Sequence, residues 1–139
     1  MSEFMTEAIK VAERSTHKRY MMGCVVVQNG EIIAKGFQHS GTWRMRQLYS
    51  MHAELHALFN LRHKRGKLDG ACVYIAGIAR KSGNFVAAVP CACCATALIH
   101  ASINNVFYTD PRTTLARGFV SQMMYLPEAL DQLKTYPAP

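Results

Sequence analysis

The sequence predicts a single α/β domain, spanning residues 1–139, in which one sheet is covered by helices. Helix-type and strand-type apolar spacings alternate along the chain in the order α, β, β, α, β, α, β, followed by a less regular β, α. Half of the 139 residues are hydrophobic and 18% are charged. This composition is typical of a folded globular chain that can bury a core without disulfide bonds.

The first three elements are a helix and a hairpin. Residues 3–14 space their apolar side chains as a helix does. Residues 24–28 and 31–36 are rich in β-forming residues and are joined by Asn29 and Gly30. Because Asn-Gly is the strongest short signal for a two-residue turn, these two runs predict a β-hairpin.

The next stretch predicts a loop and then a second helix. Residues 40–50 contain polar, aromatic and basic residues without a strand or helix period, which indicates a loop. A helix follows from His52 and is expected to stop at Gly66. Its apolar stripe consists of Met51, Leu55, Leu58 and Phe59.

The second half continues the alternation. Strands are predicted at residues 71–79, 104–110 and 119–125. A turn at residues 81–84 follows the first of these strands, and residues 85–89 resume an extended chain up to Pro90. One helix starts at the cysteines near residue 91, and a short closing helix covers residues 127–133 with Pro127 near its start.

The chain carries a net charge of +7, from 16 Lys and Arg against 9 Asp and Glu. The basic residues cluster at 14–19, 44–46 and 62–67. Such clusters favour an anionic partner, which ranges from a single phosphate to a nucleic acid. Ordinary solvated surface explains the same clusters equally well.

The cellular setting follows from the apolar runs and the cysteines. The apolar runs are far shorter than a membrane span, and the first ten residues contain no apolar signal core. We therefore expect a cytoplasmic protein without a membrane partner. In that reducing setting, five cysteines are expected to be thiols or metal ligands.

Three of the five cysteines lie within residues 91–94. Cys91 and Cys94 are three positions apart at a helix start, which points both sulfurs to one side. Cys93 lies about 200° round the helix from Cys91 and is expected to face away from the pair, as a thiol that packs against other side chains. A CxxC pair alone leaves redox chemistry, half of a zinc site and chance all open. The remaining two cysteines alternate in strands like core residues.

The partner of this pair is a histidine upstream. His52 with Cys91 and Cys94 supplies three protein ligands and leaves a fourth zinc position open, as a catalytic zinc site requires. Glu54 follows two positions later and can exchange protons without binding the metal. His56, four positions after His52, is the rival ligand; we expect it to pack or support the site instead.

The segments His52-Ala53-Glu54 and Pro90-Cys91-Ala92-Cys93-Cys94 fit the pattern H-x-E … P-C-x-x-C. With this pattern the chain resembles the cytidine and deoxycytidylate deaminase superfamily over nearly its whole length. The resemblance implies a three-layer α/β/α sandwich with a mixed sheet of about five strands. It also implies Zn²⁺ between two helix N-termini, Glu54 as the catalytic residue, and a homo-oligomer.

The resemblance further implies a hydrolase that removes ammonia from C4 of cytosine or C6 of adenine. Glu54 would carry the protons, and the Ala53 N–H would hold the base carbonyl. Our leading hypothesis is conversion of cytosine to uracil in a free nucleoside or (deoxy)nucleotide. One alternative is a deaminase acting on a base within nucleic acid, tRNA adenosine or single-stranded DNA cytosine. Another is a zinc-stabilised binding module without catalysis.

Substrate contacts are less distinct in the sequence. Gln38 stands where the family often has an asparagine that contacts the sugar of the substrate. The loop before the second helix carries a group of aromatic and basic residues, Trp43, Arg44, Arg46 and Tyr49. These side chains would either stack on a base and neutralise a phosphate, or be ordinary exposed loop residues.

Overall fold

The computed structural model describes residues 3–42, 48–61, 68–111, 114–115, 118–119 and 122–135, with the backbone alone at 40–42, 48–50, 114–115 and 118–119. The helices are α1 Glu3–Ala12, α2 Ala53–Asn60, α3 Ala92–His100 and α4 Leu126–Leu133. Within these described ranges, no helix is both long and apolar enough to cross a membrane.

The described strands form one main sheet and two small pairs. The strands are β1 Tyr20–Gln28, β2 Glu31–Phe37, β3 His39–Thr42, β4 Leu48–Met51, β5 Cys72–Ala79, β6 Asn105–Tyr108, β7 Thr114–Leu115, β8 Gly118–Phe119 and β9 Gln122–Tyr125. The main sheet has the order β2-β1-β5-β6-β9. Strands β5 and β6 are parallel and the other neighbours are antiparallel, which confirms a mixed five-stranded sheet.

Helices cover both faces of this sheet. In β1, Cys24 and Val26 belong to a core shared with α2, α3 and α4, whereas Val25 and Val27 pack with α1. Strand side chains point alternately to opposite faces, so a continuous apolar run serves both cores. The three-layer α/β/α arrangement is confirmed.

Two glycines bring the helices unusually close to the sheet. A Cβ on Gly23 would meet the backbone of Ala8 and Ala12 in α1, and one on Gly36 would meet the backbone of Ala53 and Ala57 in α2. Only glycine allows this approach without displacing the helix. The contact at Gly36 sets the position of the first turn of α2.

The hairpin prediction is confirmed. Asn29 and Gly30 have φ of 53° and 77°, the left-handed conformation that a type I′ turn needs at both central positions. The flanking residues Gln28 and Glu31 are paired in the antiparallel register.

The loop predicted at residues 40–50 is wrong in its described parts. Strands β3 and β4 pair antiparallel, with His39 opposite Met51 and Thr42 opposite Leu48. The small pair was missed because its residues lack an alternating apolar pattern. Residues 85–89 form an isolated bridge between Phe85 and Ile78, and the N–H groups of Val86 and Ala88 donate to the backbone of Gly77 and Thr109. The last sheet strand begins at Gln122 rather than at residue 119.

The predicted apolar stripe of α2 is divided between the core, where Leu58 is buried, and a surface groove. Leu55 and Phe59 are 38% and 50% exposed, and with Met51 and Leu58 they line a surface groove against α3. The helix packs on the sheet through small side chains instead, because Gly36 draws its backbone close. The helix ends at Asn60, and Gly66, its expected stop, lies outside the described residues.

Candidate metal centre

Three metal-ligand atoms meet between α2 and α3. The Nδ1 atom of His52 lies 3.3 Å from the Sγ of Cys94 and 3.7 Å from the Sγ of Cys91. All three ligand atoms lie within 4.8 Å of one another. In the described ranges these residues form the one group of three or more His, Cys, Asp or Glu side chains with this closeness.

The starts of two helices position these atoms. His52 is the N-cap of α2 and Cys91 is the N-cap of α3. The Cys91 sulfur accepts a hydrogen bond from the backbone N–H of Cys94 at 3.4 Å, as a capping side chain does. Both helix N-termini therefore direct partial positive charge at the site, which favours thiolates there.

The donor set fits zinc. One imidazole nitrogen and two sulfurs are the ligands that zinc prefers, and a site with three protein ligands keeps one tetrahedral position open. Because Nδ1 of His52 faces the sulfurs, this nitrogen is the one that would bind the metal.

In the metal-free protein, hydrogen bonds shift the pKa values of Cys91 and Cys94 in opposite directions. The Cys94 thiol and His52 donate to Cys91 and lower the pKa of Cys91 to about 4. The same bond between the sulfurs, together with burial, raises the pKa of Cys94. Hydrogen bonding to Cys91 also raises the pKa of His52. One proton therefore stays on Cys94 and must leave when a metal binds.

Glu54 is the buried carboxyl group of the site. Its side chain is only 5% exposed, and burial raises its pKa. It lies in the first turn of α2, two positions after His52. Burial of a carboxylate costs free energy. Groups with a pKa shifted by burial are therefore concentrated at functional sites, where the chemistry requires them.

Two adjoining cavities lie beside His52, Cys91 and Cys94, the three residues that we call the metal group. The inner pocket has a volume of about 10 Å³, and its lining includes His52, Glu54 and Cys91. This volume suits about one water molecule. The outer cleft is larger, at about 270 Å³, and it adjoins the inner pocket because both share the lining residues Met22, Gln38 and Val89.

The structure brings two of the expected substrate contacts to this site. Gln38 is 5% exposed and lines both cavities, and Ala53 lines the inner pocket. Trp43, Arg44 and Arg46 lie outside the described residues, as does the side chain of Tyr49, whose backbone is in β4.

Cys93, His56 and His100 are not members of the metal group. Cys93 is not part of the ligand group, as expected, but the expectation that its thiol packs is wrong, because the residue is exposed. The Nδ1 of His56 accepts a hydrogen bond from the backbone N–H of Phe37 at 3.1 Å, so this imidazole supports the end of β2. His100 is exposed on α3.

Sequence reasoning missed the far wall of the outer cleft. His17 and Tyr20, on the connection from α1 to β1 and at the start of β1, line this wall. The only signal for them was the basic run at 14–19, which also describes ordinary surface.

Comparison with known proteins places the chain in a family. Residues 1–110 match the zinc-binding region of cytidine and deoxycytidylate deaminases. A tRNA-specific adenosine deaminase of Streptococcus pyogenes is 35% identical over 109 residues, covering 76% of this chain and 59% of that protein. The chain thus spans somewhat more than half the length of this relative.

Two solved structures share the fold. A cytidine deaminase from Burkholderia pseudomallei superposes with a TM-score of 0.66 at 15% identity, covering 92% of this chain and 95% of that chain. A dCMP deaminase from the cyanophage S-TIM5 gives 0.61 at 22% identity, with 96% and 94% covered. With the sequence match over residues 1–110, the donor set and the fold agree: the chain belongs to the zinc-binding cytidine and deoxycytidylate deaminase family.

Proposed function

We propose that the protein is a zinc-dependent hydrolase that converts cytosine to uracil in a free nucleoside or nucleotide and releases ammonia. His52, Cys91 and Cys94 would hold the zinc, and Glu54 would be the catalytic acid and base. The sections of chain that carry these residues lie within the family match.

The observation that carries this proposal is the buried Glu54 beside the ligand group. A zinc site that only stabilises a fold gains nothing from an additional buried carboxyl group, because burial of that group costs free energy. A general base must lie within reach of the proton it removes. Glu54 and His52 line the same inner pocket, whose size suits a single water molecule.

The residues of the chain support a hydrolytic sequence of proton transfers. Bound zinc supplies Lewis acidity that makes water nucleophilic at neutral pH. Glu54 accepts the proton of the attacking water and delivers it to the ring nitrogen. It then takes the proton of the hydroxyl group added at C4 and transfers it to the amino group, so that the C4–N bond breaks, ammonia leaves and the C4 carbonyl forms.

The surrounding backbone and side chains would hold the base. The N–H of Ala53 is in the first turn of α2, where helix N–H groups have no partner within the helix, and it can donate to the base carbonyl. Met22 and Val89 give the base apolar walls, and Gln38 adds an amide that can donate and accept.

The size of the outer cleft favours a small substrate. Its volume of about 270 Å³ lies just below the roughly 300–1,000 Å³ of sites for drug-sized ligands. This supports a free nucleoside or nucleotide as the first choice.

A second candidate is deamination of a base within nucleic acid, tRNA adenosine or single-stranded DNA cytosine. Two observations favour it: the 35% identity to a tRNA-specific adenosine deaminase and the net charge of +7. Binding to a nucleic acid should weaken steeply with salt, whereas a single phosphate should give a shallow dependence.

Ammonia release from a panel of substrates tests both candidates. The panel contains cytidine, deoxycytidine, the monophosphates of these two nucleosides, cytosine, guanine and a tRNA anticodon stem. Release from the nucleosides or monophosphates, abolished by Glu54→Gln, supports the proposal. Release from the stem alone supports the second candidate, and no release from any of these compounds contradicts both the first candidate and the tRNA form of the second.

We also propose a homo-oligomer. The groove between α2 and α3, with Leu55 and Phe59 partly exposed, gives an apolar surface that such assembly would cover. Sedimentation equilibrium of the parent protein measures the mass directly, and a monomer at all concentrations would contradict this part of the proposal.

A further inference from the structure

The outer cleft continues from the point where the reaction would occur. Met22, Gln38 and Val89 line both this cleft and the inner pocket. The inner pocket suits about one water molecule, so the base itself must lie at its mouth. Whatever is attached to that base must therefore extend into the outer cleft.

We propose that the outer cleft is the subsite for the sugar and 5′ substituent of the substrate, and that His17 is the side chain that recognises an oxygen acceptor there. This inference rests on the proposed function. It assigns a role to a residue that lies outside the H-x-E and P-C-x-x-C segments.

His17 offers the cleft a hydrogen-bond donor of defined position. Its Nδ1 lies 3.2 Å from the backbone nitrogen of Arg19 and 3.2 Å from that of Tyr20. Because both backbone N–H groups donate to Nδ1, the proton of the neutral imidazole is on Nε2. The imidazole lines the cleft, so the Nε2–H is the group that remains for a ligand.

The ring of His17 is also held in its plane. It stacks on the ring of Tyr20, with centroids 6.2 Å apart and planes within 16°. Tyr20 lies at the start of β1, which is paired with β5 through Ala79. The stacking on Tyr20 therefore fixes the orientation of the imidazole relative to the sheet.

Hydrogen bonds from two side chains, Arg80 and Ser15, hold the backbone around His17. The guanidinium of Arg80 donates to the carbonyl oxygens of Ser15 at 2.7 Å and His17 at 3.1 Å. The Ser15 hydroxyl donates to the carbonyl oxygen of Gln38 at 2.6 Å. His17 and Gln38, which both line the cleft, thus belong to one hydrogen-bond network, and such preorganisation reduces the cost of ordering side chains on binding.

The chemistry of the cleft matches a pentose that carries oxygen acceptors. The walls contributed by Met22, Val86 and Val89 are apolar and can pack against the ring carbons of a sugar. The Nε2–H of His17 then takes a hydroxyl or phosphate oxygen. Both sources share one chemistry, an oxygen acceptor on the substituent of the base, and a free base has none there.

The substitution His17→Asn separates recognition from loop structure. The Oδ1 of asparagine replaces Nδ1 as acceptor for the N–H groups of Arg19 and Tyr20, as in an Asx turn, but the shorter side chain places no donor at the position of Nε2. Steady-state kinetics with cytosine, cytidine and cytidine monophosphate measure the effect. The matched control is Gln132→Asn, at an exposed position of α4.

We expect KM to rise roughly tenfold for cytidine, its monophosphate or both, with kcat and the melting temperature unchanged. An equal rise for the two compounds assigns a sugar oxygen, and a rise for the monophosphate alone assigns the phosphate. Kinetics on cytosine should stay the same in both variants.

Unchanged KM for all compounds, or an equal loss on cytosine as well, would overturn the inference while leaving the deaminase proposal intact. If the parent protein releases no ammonia from any compound, the proposed function fails. Calorimetric binding of cytidine monophosphate then decides about the subsite: an affinity about tenfold weaker in His17→Asn supports it, and equal or absent binding overturns it.

Discussion

The Nδ1 of His52 lies 3.3 Å from the Sγ of Cys94, although 42 positions separate the two residues in sequence. The contact joins the start of α2 to the start of α3. It turns two short motifs, each weak alone, into one ligand group with Cys91 as its third member.

Removing any ligand should release the metal. For His52→Ala, Cys91→Ala and Cys94→Ala we expect zinc affinity to fall by more than about 100-fold, beyond the roughly 10–100-fold effect of changes outside the ligand set. Metal content per chain, measured by plasma mass spectrometry after dialysis, checks this. Cys93→Ala is the matched control, since the Cys93 side chain is exposed. Zinc loss in the control, or retention in two of the three variants, would refute the ligand set.

Glu54→Gln should abolish activity and stabilise the metal-free protein. We expect kcat to fall by roughly 10²–10⁴, the usual contribution of general acid–base catalysis. Burial raises the pKa of Glu54, so the folded state favours the protonated form. Its stabilising effect is present at low pH and is lost as pH rises through the raised pKa.

Removal of the charge should therefore stabilise most at neutral pH. We expect the melting temperature of metal-free Glu54→Gln to exceed that of the parent by roughly 2–4 °C at pH 7, and the two curves to converge near pH 4. Calorimetric scans at both pH values measure this. A parent protein that is more stable than the variant at pH 7 would show that the carboxylate is not strained by burial.

Each half of the metal group was predictable from sequence because its spacing is local, and the pattern H-x-E … P-C-x-x-C joined the two halves. His52 with Glu54, and Cys91 with Cys94, each occupy one helix start, where a two- or three-residue separation sets the direction of side chains. The order of helices and strands was predictable for the same reason, from the period of apolar residues within each segment.

The faces of α2 were not predictable in this way. Large apolar side chains, Leu55 and Phe59, mark the wrong side of the helix because Ala53 and Ala57 pack closely on Gly36. The hydrogen bonds from Arg80 that hold the backbone at His17 were not predictable from sequence either, because Arg80 donates to backbone carbonyl oxygens, which every residue has. Such contacts depend on chain geometry and leave no pattern of residue types.

Gly36→Ala should test the close contact between β2 and α2. The added Cβ would meet the backbone of Ala53 and Ala57, so the helix must shift. We expect a loss of about 1–3 kcal/mol in the free energy of unfolding, as for other overpacked positions. Urea denaturation measures it.

The same substitution should weaken zinc binding, because Ala53 lies between His52 and Glu54 in the sequence. Lys35→Ala, at an exposed neighbouring position of the strand, is the control and should change stability by less than about 0.5 kcal/mol. Equal stability of Gly36→Ala and the control would argue against close packing here.

Arg80→Ala should loosen the connection between α1 and β1 without affecting the metal. The variant loses both guanidinium hydrogen bonds, to Ser15 and His17. We expect KM to rise severalfold with kcat and zinc content unchanged, since the ligand group lies elsewhere. Arg80→Lys should recover only part of the loss, because an ammonium group does not reproduce the planar fork. Lys81→Ala, an exposed neighbour, serves as control, and a fall in kcat alone would contradict a positioning role.

Alkylation should report the metal site independently of activity. The hydrogen bonds from Cys94 and His52 lower the pKa of Cys91 to about 4, so in the metal-free protein this sulfur is a thiolate at pH 6. Because the thiolate is the reactive form, iodoacetamide at pH 6 should label Cys91 before Cys93, even though Cys93 is the more exposed of the two. Saturating zinc should suppress labelling of Cys91 at least tenfold and leave Cys93 unaffected, as read by peptide mass spectrometry. Preferential labelling of Cys93 in the metal-free protein, or equal labelling of Cys91 with and without zinc, would show that Cys91 is neither the activated thiolate nor a ligand.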